Sequence, residues 1–135
     1  MEVIQPGQHG STFGGNPFAA TIAKKALEII VDENLSQNAR NLGQIFRYSM
    51  SEYIKTSKII SKIRGKGLLN AIVINDSPDS ETAWNICLRL RDNGLLAKPT
   101  HGNIIRFAPP LVITKDQLLD CIKIIIFTLK EFEPK

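Results

Sequence analysis

The stretch from Ile59 to Ile74, IISKIRGKGLLNAIVI, constrains the fold more than any other part of the sequence. It is rich in β-branched residues, and Gly65 and Gly67 interrupt it. Such a segment suits two strand pieces with a glycine bend or bulge between them, which commits part of the chain to a sheet. A second stretch of the same texture follows, LLAKPTHGNIIRFAPPLVI from Leu95 to Ile113. It reads as two short strands joined by a turn at His101-Gly102-Asn103. The later strand stops at Pro109-Pro110, which cannot continue a ladder of hydrogen bonds.

Around these strands the apolar residues recur at helical spacing. Asn16 is a good N-cap, and Pro17 is a good first helical residue because its missing N–H would have no partner there. Phe18, Ile22, Ala26 and Ile29 then share a face with Ala19, Ala23, Leu27 and Ile30 beside them, a stripe broad enough to predict a well-buried helix. A second helix is expected from about Leu35, with Leu35, Ala39, Leu42, Phe46, Met50 and Tyr53 or Ile54 facing inward and its polar side on the surface. A third is expected to start at Ser77 and Pro78 and stop at Gly94, burying Ala83, Trp84, Cys87, Leu88 and Leu90. The last opens with a capping box, Thr114 with Gln117, and a hydrophobic staple of Ile113 with Leu118. Its inner stripe is Leu118, Ile122, Ile125, Leu129 and Phe132. The order is two helices, two strands, a helix, two strands and a helix, which defines a small α/β sandwich with helices on one face of a short sheet.

At 135 residues the chain fits one domain of ordinary size. With 43% hydrophobic and 22% charged residues it is globular in composition, not disordered. Apolar runs such as Ile124 to Phe127 are too short to span a bilayer, so no membrane partner is expected. Met1 to Gln5 has neither the basic nor the apolar region of a secretory signal. Cys87 and Cys121 fall among apolar residues of expected helices and read as buried thiols in a reducing compartment. No metal site is expected, because His9 and His101 stand alone. The net charge is +4. Its basic residues are scattered and do not interleave with aromatics, so nucleic-acid binding is not expected.

Three features could carry chemistry. HGSTFGGNP, His9 to Pro17, places the hydroxyls of Ser11 and Thr12 and the Gly14-Gly15 pair against a helix start. Small residues let an anion approach the backbone and hydroxyls can donate to it. The plainer reading is a well-made helix cap, since the spacing matches neither the Rossmann nor the P-loop pattern. Arg106 sits between apolar neighbours in NIIRFAPP. Its guanidinium needs an anion, either a structural Asp or Glu or the carboxylate of a substrate. Lys98, in LLAKPT, could form a Schiff base, or could simply be a strand lysine whose ammonium stays in water.

HGSTFGGNP, IRGKGLLNAIVI, CLRLRDNGLLAKPTHG and IIRFAPPLVIT, in that order, resemble the C-terminal part of class III, fold type I aminotransferases, and within them the ornithine aminotransferase family. The resemblance covers nearly the whole chain. It implies a small domain with a mainly antiparallel sheet and helices on one face over residues 34–135. Residues 1–33 would be the tail of a large domain, a cofactor-phosphate loop followed by an interface helix. It implies pyridoxal phosphate as cofactor, with Ser11 and Thr12 reaching the phosphate held by the partner subunit of a homodimer. Arg106 would grip the carboxylate of the substrate, and the reaction implied is transfer of the δ-amino group of ornithine to 2-oxoglutarate. The family's cofactor-carrying lysine precedes HGSTFGGNP, and Lys24, Lys25 and Lys98 do not match it. No catalytic residue is therefore expected in these 135 residues, and the chain alone is expected to be inactive. The alternatives are a non-catalytic module that pairs with a full-length subunit, or another class III enzyme such as an acetylornithine aminotransferase. The family occurs in the cytoplasm, the compartment expected here, and in the mitochondrial matrix.

Overall fold

The computed structural model describes Val3, Gln5 and residues 7–134. It divides into two compact units, Met1–Leu35 and Ser36–Lys135.

The first unit carries helix α1 (Pro17–Asp32). Asn16 stands in extended conformation before it and accepts a hydrogen bond from the Ala19 N–H at 2.9 Å, the cap that the sequence specifies. No residue of α1 is buried, and Phe18 and Leu27 are 77% and 65% exposed. The well-buried helix expected from its broad stripe is thus not found within this unit. The reason is that the unit's described residues offer no other element for the stripe to pack against.

The second unit holds helix α2 (Leu35–Ile54), whose first residue closes the first unit, then strands β1 (Ile60–Lys66) and β2 (Leu69–Ile74). Helix α3 (Thr82–Asp92), strands β3 (Lys98–Thr100) and β4 (Ile104–Phe107), and helix α4 (Lys115–Lys130) follow. The strands form one antiparallel sheet in the order β1-β2-β4-β3. Two strand pieces per segment and the turn at His101 to Asn103 agree with the pattern of the sequence. The glycine turn lies at Gly67, with φ +54°, while the bulge lies earlier, between Ile60 and Lys62.

Alternation gives the sheet one dry side. Asn70, Ile72, Ile74, Ile105 and Phe107 point into the core, where Ala39, Leu42, Phe46 and Met50 of α2 meet them, together with Leu118, Ile122, Ile125 and Leu129 of α4. The Phe46 and Phe107 rings lie 5.6 Å apart. Helix α2 also clamps the β1–β2 turn. Arg47 Nη1 donates to the Gly67 carbonyl at 3.0 Å and to Asn70 Oδ1 at 2.8 Å, and Asn70 Nδ2 donates to the same carbonyl at 3.1 Å. The buried Asn70 is satisfied in this way.

Helix α3 starts later than expected and turns a different face inward. Residues 77–80 form a turn instead, with the Ser80 N–H bonded to the Ser77 carbonyl and the Ser77 N–H to Asp76 Oδ1. From Thr82 onward the inner stripe is Ala83, Ile86, Cys87 and Leu90, spaced three and four apart. Trp84 lies about 100° round the helix from Ala83 and is 54% exposed, and Ile86 takes the core place given to it. Gly94 ends the helix at φ +89° as expected. Helix α4 has both bonds of its capping box, Gln117 N–H to Thr114 Oγ1 at 3.3 Å and Thr114 N–H to Gln117 Oε1 at 2.9 Å.

Past α4 the chain returns to the start of the sheet through Glu133. Its carboxylate accepts from Tyr53 Oη at 2.8 Å, Ser57 Oγ at 2.6 Å and the Lys58 N–H at 2.8 Å. Burial works against the charge of Glu133, but these donors outweigh it and hold its pKa below the usual 4.5. Burial and the neighbouring carboxylate push the Tyr53 hydroxyl up to about 12. A carboxyl with a lowered folded-state pKa contributes stability that is present above its unfolded value and lost as the pH falls through the folded one. Glu133→Gln is therefore expected to cost about 1–2 kcal/mol at neutral pH and to flatten the acid limb below about pH 4.5. Urea unfolding at pH 7 and pH 3 checks it; an equal loss at both values would refute the charge-based account.

Candidate functional site

The hydroxyl loop belongs to the first unit. Ser11 Oγ accepts from the Gly14 N–H at 2.8 Å, which folds Ser11 to Gly14 into a tight turn. A Cβ on Gly14 would stand 2.9 Å from the Ser11 Cβ, so the turn needs a glycine there. Asn16 Nδ2 donates to the Phe13 carbonyl at 2.6 Å, joining the turn to the α1 cap. Thr12 is exposed, and among the described residues its hydroxyl has no hydrogen-bond partner. Among the described residues nothing stands within 4 Å of where a Cβ would project from Gly10 or Gly15, so the loop is open to them on those sides. The cap reading is satisfied by Asn16 alone, which leaves the Thr12 hydroxyl available to a ligand.

Arg106 belongs to the second unit, on β4. Its neighbours Ile105 and Phe107 are buried, and alternation turns Arg106 out to the other, open side of the sheet. A buried guanidinium paired with a structural acid was one of the two readings open at Arg106. The structure instead exposes it, and among the described residues it forms no ion pair. The ion pairs that do form lie elsewhere, as with Arg89 and Glu131 at 2.7 Å. Arg106 walls two shallow depressions. One, of about 300 Å³, also involves Arg64 and Ala71; the other, of about 280 Å³, involves Lys98 and Ala108.

Lys98 is the exposed first residue of β3 and stands directly opposite Arg106. Neither cysteine is disposed to react: burial pushes Cys87 up to about 11 and also raises Cys121. Among the described residues no group of His, Cys, Asp and Glu could hold a metal ion, and no helix is long and apolar enough to cross a membrane. The sequence reading missed Arg64. Only strand register brings it into line with Arg106, and no local pattern signals that.

A hydroxyl-glycine turn thus precedes the capped helix α1 of the first unit, and an arginine stands on the open side of the four-stranded antiparallel sheet of the second. Residues 1–129 match the family described as aminotransferase class III, and the chain belongs to that family. It is 52% identical over 132 residues to the mitochondrial ornithine aminotransferase of Rattus norvegicus, covering 98% of this chain and 29% of that protein. The structure of an acetylornithine aminotransferase from Elizabethkingia anophelis is similar at TM-score 0.88 and 64% identity, covering 97% of this chain and 33% of the other. The ornithine δ-aminotransferase of Plasmodium falciparum is similar at TM-score 0.86 and 45% identity, with 98% and 34% covered. The chain thus spans about a third or less of the relatives it matches.

Proposed function

We propose that the chain acts as the C-terminal part of an ornithine aminotransferase, moving the δ-amino group of ornithine to 2-oxoglutarate and working as a homodimer. The observation that carries this reading is Arg106, exposed and, among the described residues, without an ion-pair partner, on a chain that belongs to the class III family. A planar guanidinium grips a carboxylate with two parallel hydrogen bonds, which suits the oxo acid.

Class III aminotransferases use pyridoxal phosphate, and the first unit fits its phosphate: among the described residues the Thr12 hydroxyl is unpaired, the Ser11 turn is compact and the space beside Gly10 and Gly15 is open. When bound, the cofactor supplies the electrophilic carbon and the electron sink that transamination needs. Thr12 would donate to a phosphate oxygen, with Ser11 holding the loop in shape. The exposed apolar stripe of α1 would be covered in the dimer, since large open patches of this kind mark interfaces. No residue of the chain is assigned to carrying the cofactor, so the 135-residue polypeptide by itself is expected to give no sustained turnover.

A second reading is favoured by the 64% identity to an acetylornithine aminotransferase structure: the amino donor is N-acetylornithine. The two are separated by assaying the enzyme that contains this segment with each donor, 2-oxoglutarate and cofactor. At least tenfold higher kcat/KM for ornithine is expected, and the reverse preference would replace the first reading by the second. Turnover by the 135 residues alone, above the rate with free cofactor, would overturn the expectation that they are inactive by themselves.

A further inference from the structure

Strand register assembles a row of positive charge that no single segment contains. Arg64 faces Ala71, Ala71 faces Arg106 and Arg106 faces Lys98, so the four lie across the open side of the sheet in one line. The three basic residues are exposed, and among the described residues none of them forms an ion pair. Directly opposed like charges destabilise an antiparallel pair, so Lys98 against Arg106 is a local cost to the sheet. The small Ala71 leaves open the depression between Arg106 and Arg64, while Lys98 borders the one on the other side of Arg106.

We propose that Lys98 is a specificity-determining residue that acts through Arg106: its ammonium raises the positive potential around the guanidinium, favouring an oxo acid with two negative charges and disfavouring the cationic amine of a diamine. The proposal rests on the reading of Arg106 as the carboxylate clamp. Lys98 need not touch the substrate, because cross-strand partners stand about 5 Å apart and a charge at that range is felt at a partly solvated surface. Cooperation of this kind is screened by salt, unlike a packing contribution.

The test is Lys98→Gln and Lys98→Arg in the holoenzyme, with Arg106→Lys alongside. At low ionic strength Lys98→Gln is expected to raise KM for 2-oxoglutarate about three- to tenfold and to leave KM for ornithine the same or lower. The difference from the parent should shrink below twofold at about 1 M salt, where the Debye length is about 3 Å. Lys98→Arg should restore the parent behaviour. An oxo-acid KM within twofold of the parent at low salt overturns the proposal. So does a rise that salt does not diminish, or an equal rise for both substrates with a lowered melting temperature. The proposal stands or falls on the Lys98 variants. The clamp itself is judged on Arg106→Lys, whose failure takes the form of equal damage to both half-reactions.

Discussion

Arg106→Lys in the holoenzyme is expected to lower kcat/KM for 2-oxoglutarate by about one to two orders of magnitude while changing the ornithine half-reaction much less. The substitution keeps the positive charge and removes the planar fork. A lysine ammonium offers one good direction to a carboxylate where the guanidinium offers two. Losing one charge-assisted hydrogen bond is worth roughly 1.5–3 kcal/mol, which sets the expected range. The position favours a clean result. Arg106 is exposed, among the described residues has no ion pair, and its strand neighbours Ile105 and Phe107 hold the core by themselves. Replacing it should therefore shift the melting temperature by no more than about 2 °C, as surface substitutions away from special features do. The two half-reactions can be followed separately by the absorbance of the cofactor. Equal losses in both, together with reduced stability, would show that Arg106 is structural and the clamp assignment wrong.

What the sequence disclosed about this site, and what it did not, follows from the range of the forces involved. Caps and turns are local. Asn16 before Pro17, Thr114 with Gln117, and Gly94 after α3 are all read correctly because each bond closes within three or four residues. The face of a helix is less local. Trp84 is expected on the buried face of α3 beside Ala83, yet the phase of the helix is set by Ala83, Ile86, Cys87 and Leu90 together. The open stripe of α1 shows the same limit in another form. Spacing identifies an apolar face but does not say whether the surface that covers it is in the same chain. Longest in range is the row of Arg64, Arg106 and Lys98. In the sequence these residues stand apart: Arg64 falls in a basic run that reads as solvated surface, Lys98 reads as a strand lysine or a Schiff-base candidate, and Arg106 as a carboxylate clamp or the partner of a structural acid. Only pairing across β1, β2, β4 and β3 lines them up. Arg106 itself was legible as a candidate from its apolar neighbours, and the structure shows that those neighbours do not bury it. In a strand they lie on the opposite face.

Gly43→Ala is expected to destabilise the second unit strongly, against what its helical setting would suggest. Gly43 lies inside α2, where alanine is intrinsically favoured over glycine by up to about 1 kcal/mol. Helix propensity alone therefore gives the substitution a stabilising sign. Packing reverses it. A Cβ on Gly43 would stand 1.8 Å from the Gly67 carbonyl oxygen and 2.4 Å from its carbon. These are backbone atoms of the β1–β2 turn, so no side chain can swing aside to make room. The helix must back away from the turn, and the same carbonyl is the one that Arg47 and Asn70 hold at 3.0 and 3.1 Å. Moving it strains the bonds that satisfy the buried Asn70. Overpacking of this kind costs about 1–3 kcal/mol, and the strained hydrogen bonds about 1 kcal/mol more. A total near 3 kcal/mol is a large part of the roughly 5–15 kcal/mol that holds a domain together, and corresponds to a fall in melting temperature of about 10–20 °C. Gly94→Ala is the matched control: its φ of +89° penalises a side chain, but among the described residues nothing stands within 4 Å of the new Cβ. It should cost about 1–2 kcal/mol through the backbone alone. Thermal unfolding of both variants, followed by circular dichroism, separates the two mechanisms. If Gly43→Ala melts no more than about 2 °C below the parent, the helix and the turn are not in the close contact that fixes this face of the sheet.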